Sequence, residues 1–184
     1  MVDNYPDLLR PNSSESIAFE GDNISIPKIS RRYRAWTGDP HEYDMRKGQA
    51  INFDGQPKFA ELVTVKLAEL SGWDARWVQT YGTPQADPHL LIDWQNDRVS
   101  NQQHAPIADA YVRNQLNNIV QENGGYSGCW DVVLWRQQTI LFIECKRSRQ
   151  DRMKANQIGW IHSAFRVGFH PEQFIVKEWT FLGD

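Results

Sequence analysis

Hydrophobic positions change period several times along the chain, and each change marks a predicted element. Phe59, Leu62, Val63, Leu67 and Leu70 recur at three- and four-residue intervals, the spacing of one helix face. Asp54 and Pro57 suit its start and Ser71-Gly72 its end, so a helix is predicted over 57–71. A strand follows over 75–81. The segment 82–103 carries Pro and Asp and is interrupted only by the apolar run 90–94, a short strand; connections this long are often functional loops. Ile107, Tyr111, Leu116, Ile119 and Val120 mark a second helix over 106–121, ended by Asn123-Gly124-Gly125. Met153, Trp160, Ile161, Ala164 and Phe165 form the stripe of a third helix over 151–167, closed by Gly168, and 174–179 reads as a last strand.

The first fifty residues follow no such pattern. Residues 1–16 are polar, with Pro6 and Pro11, and read as a mobile arm. Residues 17–29 hold short strands broken by Gly21-Asp22-Asn23 and Pro27. Lys28, Arg31, Arg32 and Arg34 then gather beside Tyr33 and Trp36. This is either a solvated basic stretch or an arm that contacts phosphates, with aromatics for stacking. The chain therefore divides into an N-terminal arm, 1–50, and a single domain, 51–184.

Between the second and third helices lie two strands that are apolar on both faces. The first is 131–135 (DVVLW) and the second 139–146 (TILFIECK), joined by Arg136-Gln137-Gln138. In the second, Ile140, Phe142, Glu144 and Lys146 share one face and Leu141, Ile143 and Cys145 the other. A strand apolar on both faces is central and covered on both sides, so Glu144 and Lys146 stand out. If Gln137 and Gln138 form the loop, Arg136 faces Thr139 and Asp131 faces Glu144. Two carboxylates then meet with Cβ atoms about 5 Å apart, and Lys146 lies on the same face. Opposed like charges destabilise a sheet unless something positive lies between them. A divalent cation does so, and oxygen ligands suit Mg²⁺ or Mn²⁺. Gln-Gln is not favoured turn chemistry, and a loop one residue longer or shorter would send the carboxylates to opposite faces. The competing reading is a structural ion pair of Lys146 with either acid.

Composition narrows the class. The chain has 184 residues, 40% hydrophobic and 23% charged, with 8 Trp and a mean hydropathy of -0.62. That is too apolar for wholesale disorder and too polar for a membrane protein. No stretch approaches the roughly 20 apolar residues of a spanning helix, and the N-terminus does not read as a signal peptide. Two Cys make neither a disulfide framework nor a four-ligand zinc site, so both are expected as free thiols in a cytoplasmic protein. A net charge of -3 excludes a wholly basic nucleic-acid coat. It leaves room for a local patch: Lys146, Arg147, Arg149, Arg152 and Lys154 crowd one short segment against the single acid Asp151.

Two further polar residues bear on this hairpin. Gln157 falls on the apolar stripe of the third helix, either as a satisfied core amide or as part of the site. Glu61 lies on the first helix beside Val65 and Ala68, a second inward face, whereas Glu69 on the same helix reads as solvated. His41, His89, His104, His162 and His170 show no ligand spacing, although His89 or His104 could reach the site from the long loop.

The run GCWDVVLW…TILFIECK…QIGWIHSAFRVG resembles the PD-(D/E)XK nuclease superfamily, particularly its VRR-NUC branch. The matching residues are Gly128, Asp131, Glu144, Lys146, Gln157, Trp160 and Gly168, with Glu61 as the match for the family's acidic residue on the first core helix. Trp130 stands where the family has Pro, a position that carries no ligand. The resemblance covers 128–179 well, 57–81 moderately and 1–50 not at all.

The resemblance implies an α/β restriction-endonuclease-like core: a mixed four- to five-stranded sheet with helices 57–71 and 151–167 against it. Helix 106–121 and segment 82–103 are then decorations shaping the substrate groove. It implies a Mg²⁺-dependent nuclease acting on DNA, endonucleolytic, with Mn²⁺ able to substitute. Asp131, Glu144 and the Cys145 backbone carbonyl would ligate the metal, Glu61 through water or with a second metal. Lys146 would act on the attacking water and the phosphate, and Gln157 would position substrate or Lys146. Arg147, Arg149, Arg152, Lys154, Arg31 and Arg32 would hold the nucleic-acid backbone. The alternative is an inactive nuclease-fold protein that binds nucleic acid or a protein partner. A homodimer is compatible with the sequence, but nothing in it points to one.

Overall fold

In the computed structural model, which describes residues 4–39, 48–80 and 87–184, the hairpin predicted from alternation lies at the centre of an α/β fold. In chain order the elements are β1 (Ser13–Phe19), β2 (Asp22–Tyr33), β3 (Ile51–Phe53), β4 (Gln56–Lys58), α1 (Ala60–Leu70), β5 (Asp74–Gln79), β6 (His89–Leu91), α2 (Ala110–Asn123), β7 (Val132–Arg136), β8 (Thr139–Arg147), α3 (Ala155–Arg166) and β9 (Phe174–Phe181). Seven strands make one mixed sheet in the order β1-β2-β9-β8-β7-β5-β6, and β3 pairs with β4 in a separate ribbon. Strands β2, β9 and β8 are parallel neighbours; the remaining pairings in the large sheet are antiparallel.

The sheet is wider than the four to five strands expected, and the N-terminal segment is the reason. The residues read as an arm with short strands form the β1–β2 hairpin, and β2 adds to β9 over Lys28–Tyr33. Ahead of it Leu9 is fully buried, so its side chain anchors the stretch before β1 to the core. Gly21-Asp22-Asn23, taken as a break, belongs to the reversal between β1 and β2: Glu20 and Gly21 have φ of 50° and 93°.

β8 has the two-faced character its sequence predicts. Ile140 and Phe142 pack into a core under α2 and α3, whereas Leu141, Ile143 and Cys145 pack into the core under α1. The hairpin register is the one that a Gln137-Gln138 loop requires, with Arg136 opposite Thr139 and Val132 opposite Ile143. The turn forms despite its residues because Gln137 takes a positive φ of 55°, which a two-residue loop of type II′ needs at its first position.

Helix ends differ from the periodic spans. α1 begins at Ala60, because Pro57 is spent in β4. α2 starts three residues beyond Ile107, capped by the Asp109 carboxylate on Val112 N, and ends at Gly124 in the left-handed conformation. α3 begins at Ala155 instead of Asp151. The carboxylate of Asp151 accepts from Arg147 N at 2.9 Å, closing a turn instead of starting a helix. The end of the strand predicted over 75–81, residues 82–86 of the long loop, and His41 lie outside the described residues.

Candidate active site

The site grows from the ends of three elements. Asp131 sits just ahead of β7, and its backbone oxygen accepts from Val78 N at 2.7 Å. Its carboxylate accepts from Cys145 N at 2.9 Å, which ties the acid to the facing strand. Its side chain also interacts directly with that of Glu144. Glu144, 2% exposed, lies on the same strand face as Lys146, 8% exposed. Lys146 Nζ stands 2.8 Å from Glu144 Oε1.

Gln157, in the first turn of α3, closes the network. Its Nε2 donates to Glu144 Oε1 at 2.5 Å, and its Oε1 accepts from Lys146 Nζ and from Lys154 N, each at 2.9 Å. The last of these bonds satisfies an N–H at the helix start that no intrahelical partner can reach. Gln157 thus faces inward because it is part of the site as well as the cap of its own helix. Gly128 lets α3 come this close: with φ at 80°, a Cβ there would lie 2.0 Å from Asn156 O.

Glu61 enters from the other side of β8. It is the second residue of α1 and is 7% exposed, while Val65 and Ala68 are fully buried. A carboxylate suits the positive end of a helix. Glu69, its rival, pairs instead with Lys66 at 3.0 Å. Glu61, Asp131, Glu144, Lys146 and Gln157 all line one open cavity of about 570 Å³, together with Gln150, Asp151, Arg152 and Lys154. Of the proposed backbone-holding residues, Arg152 and Lys154 therefore flank the carboxylates directly. Arg31, Arg32 and Arg149 line a different cavity. Arg147 is partly committed elsewhere: its guanidinium lies 4.8 Å from the Phe181 ring and 5.6 Å from that of Trp179, and 3.5 Å from the Asp184 carboxylate.

Several expectations fall outside this cavity. None of α2 or of the described residues 87–103 lines it, so the groove-shaping role expected for them is not seen there. α2 packs on α3 instead. His89 and His104 meet edge to face, ring centroids 5.3 Å apart, with His89 Nε2 2.8 Å from Gln102 O. Cys129 and Cys145 are free and buried in opposite cores; burial pushes both thiols up.

One residue that the sequence reading passed over stands out. Lys177 of β9 is completely buried. Its Nζ donates to Thr64 Oγ1 at 2.7 Å and to Ala60 O at 3.2 Å, and lies 5.1 Å from the centroid of the Tyr33 ring. It holds the first turn of α1, which carries Glu61, against the sheet. Strand alternation carried the signal, since Ile175 and Trp179 on either side of Lys177 are inward-facing apolar residues.

Asp131 and Glu144 are the residues of this cavity that could hold a hard divalent cation. Desolvation pushes the Glu144 carboxyl up, against the opposing pull of Lys146. Glu144 Oε2 is enclosed and accepts no hydrogen bond from the described residues. A buried carboxyl in contact with a half-buried one calls for a shared proton or a cation. Among the described residues there is no group of three or more His, Cys, Asp or Glu side chains that could hold a metal ion. Mg²⁺ does not require one: it is commonly bound by one or two carboxylates plus water and substrate phosphates. No helix among the described residues is long and apolar enough to cross a membrane.

No protein-family model matches the chain, and no similarity to curated proteins or to solved structures was found.

Proposed function

We propose that this protein is a metal-dependent nuclease of the PD-(D/E)XK type that hydrolyses phosphodiester bonds within DNA. One observation carries the reading: a buried Glu144 carboxyl in contact with the half-buried Asp131 carboxyl, with an ammonium on the same strand face, opening onto a cavity flanked by Arg152 and Lys154. Asp131, Glu144 and the Cys145 carbonyl would hold Mg²⁺ or Mn²⁺, with Glu61 reached through water. That ion would supply Lewis-acid stabilisation of the phosphate and an activated water.

The chain's own groups divide the remaining work. Two of the three N–H donors of Lys146 are taken by Glu144 and Gln157, which leaves one for a phosphate oxygen or the attacking water. Gln157 fixes the rotamers of both charged groups, so little reorganisation is needed as charge develops. Arg152 and Lys154 bind the flanking backbone.

The test is nicking of supercoiled plasmid with Mg²⁺ or Mn²⁺, compared among the wild type, Asp131→Asn and Lys146→Met. Loss of activity on the order of 10²–10³-fold is expected for Lys146→Met and at least as much for Asp131→Asn. Equal cleavage by all three proteins would remove this site.

A second reading has its own observation. Glu144 Oε1 is already held by Lys146 and Gln157, as in a closed structural network. An inactive nuclease-fold protein that binds nucleic acid or a protein partner would keep that network. It would show no cleavage and no change in thermal stability on adding Mn²⁺.

A further inference from the structure

We propose that the cavity beside the carboxylates, built where β2 and β9 meet the turn after β8, is a phosphate-binding subsite that needs no metal. The proposal rests on the nuclease reading for the kind of polymer bound, though not for the anion.

The cavity measures about 540 Å³, and Arg31, Arg32, Arg149, Ser30, Ser148 and Thr180 line it. Its two acids are already engaged. Glu178 lies 3.4 Å from Lys28, and Asp184 is held by Arg147, Thr180 and Phe181 N at 3.3–3.5 Å. Among the described residues the Arg31 guanidinium donates only to Leu8 O, at 3.4 Å. Arg32 and Arg149 are exposed, and their guanidiniums have no hydrogen-bond or ion-pair partner among the described residues. Three arginines from two chain segments thus line one cavity whose own acids are paired with other groups. The planar fork of Arg suits bidentate phosphate recognition better than a Lys ammonium does.

Arg149 is also held in place by its backbone. It has a φ of 62°, in a turn closed by Gln150 N and Asp151 N on Arg147 O at 3.1 and 2.9 Å. A third cavity, about 340 Å³, joins the two sites: it shares Trp179 with the arginine cavity and Glu61 and Cys145 with the carboxylate cavity, and Gln150 lines all three. The shared lining residues set the three cavities side by side, with the carboxylates lining one and the arginines another. A strand whose phosphodiester enters the carboxylate cavity has a path for another phosphate to the arginine cavity.

The experiment measures binding of a fluorescein-labelled single-stranded oligonucleotide by anisotropy in EDTA, where no cutting occurs, over a series of salt concentrations. The variants are Arg32→Ala and Arg149→Gly, the latter because glycine keeps the positive φ while removing the guanidinium. Each is expected to weaken binding severalfold and to lower the slope of log K against log salt by about 0.7, the value of one single-strand phosphate contact. Arg166→Ala, a surface arginine paired with Glu122, should leave the slope unchanged. Wild-type slopes in both cavity variants, with circular dichroism showing them folded, would overturn the subsite.

Comparison of 5′-phosphorylated and hydroxyl-ended strands identifies the phosphate. A preference for the phosphorylated end that Arg149→Gly abolishes assigns a terminal phosphate. Equal affinity with the slope loss intact assigns internal phosphodiesters, and both results support the subsite. Glu144→Gln should keep the arginine-dependent slope. If the wild type cuts nothing yet shows that slope, the nuclease reading fails and the subsite stands.

Discussion

The side-chain amide of Gln157 lies between the two charges of the site, donating to Glu144 and accepting from Lys146, while also capping its own helix through Lys154 N. One residue therefore couples the start of α3 to the end of β8. Gln157→Leu, which fills similar space, removes all three bonds. It should cost about 1–3 kcal/mol, because it leaves part-buried polar partners unsatisfied. It should also lower nicking by roughly 10–100-fold, the usual effect of losing a group that orients the groups around a metal. Denaturant melts and plasmid assays read the two effects separately; full activity with normal stability would show Gln157 to be a bystander.

The register between Asp131 and Glu144 was legible in the sequence because it depends only on loop length and the two-residue period of strands. Glu61 was legible for a similar reason, its place beside Val65 and Ala68. The N-terminal strands were not. β2 carries Pro27 and ends in a basic run, and its order comes from pairing with β9, about 150 residues later. The start of α3 was misplaced because Asp151 looks like a helix-initiating residue, whereas the cap comes from Gln157 inside the helix. The division of the arginines between two cavities depends on tertiary placement and leaves no trace in spacing.

The Gln137-Gln138 turn makes a specific stability prediction. Gln137 sits at a φ of 55°, where an L side chain is strained by about 1 kcal/mol. Gln137→Gly should relieve that strain at an exposed position far from the carboxylates and stabilise the protein by about 0.5–1 kcal/mol. Part of the gain is offset by the larger entropy of the unfolded glycine chain. Nicking activity should not change. A lower midpoint in urea would show that the turn is not of the type inferred.

Gly128 should tolerate nothing larger. In Gly128→Ala the new methyl would sit 2.0 Å from Asn156 O at a φ of 80°. The left-handed conformation alone costs about 1–2 kcal/mol, and the backbone contact has to be relieved by moving the first turn of α3. Because that turn carries Gln157, cleavage should fall along with the melting temperature, which drops by about 2–4 °C per kcal/mol in a domain of this size. An unaltered melt and unaltered activity would mean that α3 is not held by this approach.

Lys177 tests the cost of a buried cation. Thr64 Oγ1, one acceptor of its ammonium, also donates to Ala60 O at 2.8 Å, so Ala60 O keeps a partner when the lysine is removed. Lys177→Met fills the same space without the charge. Replacing a buried charge by a well-packed apolar residue is often neutral or stabilising by about 1–4 kcal/mol. The expected outcome is therefore a folded protein at least as stable as the wild type, measured by urea unfolding. Destabilisation beyond about 2 kcal/mol would mean that the ammonium contributes net binding energy to the first turn of α1.

The pH dependence of stability should expose the cost of burying the Glu144 carboxyl. Burial holds the Glu144 carboxyl above its ordinary value of 4.5, Lys146 pulling the other way. The folded protein therefore keeps this proton at pH values where the unfolded chain has lost it. The unfolded state binds fewer protons in that window, so stability from this group is fully present below 4.5 and declines as pH rises through the folded value. A divalent cation competes with the proton and is bound more tightly as the carboxyl ionises. Two curves of melting temperature against pH test this, one in EDTA and one with Mn²⁺, each measured as wild type minus Glu144→Gln. In EDTA the difference should fall as pH rises from 4.5; with Mn²⁺ it should rise over the same range, since the metal stabilises only the folded state. Parallel curves with and without Mn²⁺ would show that Glu144 does not hold the ion.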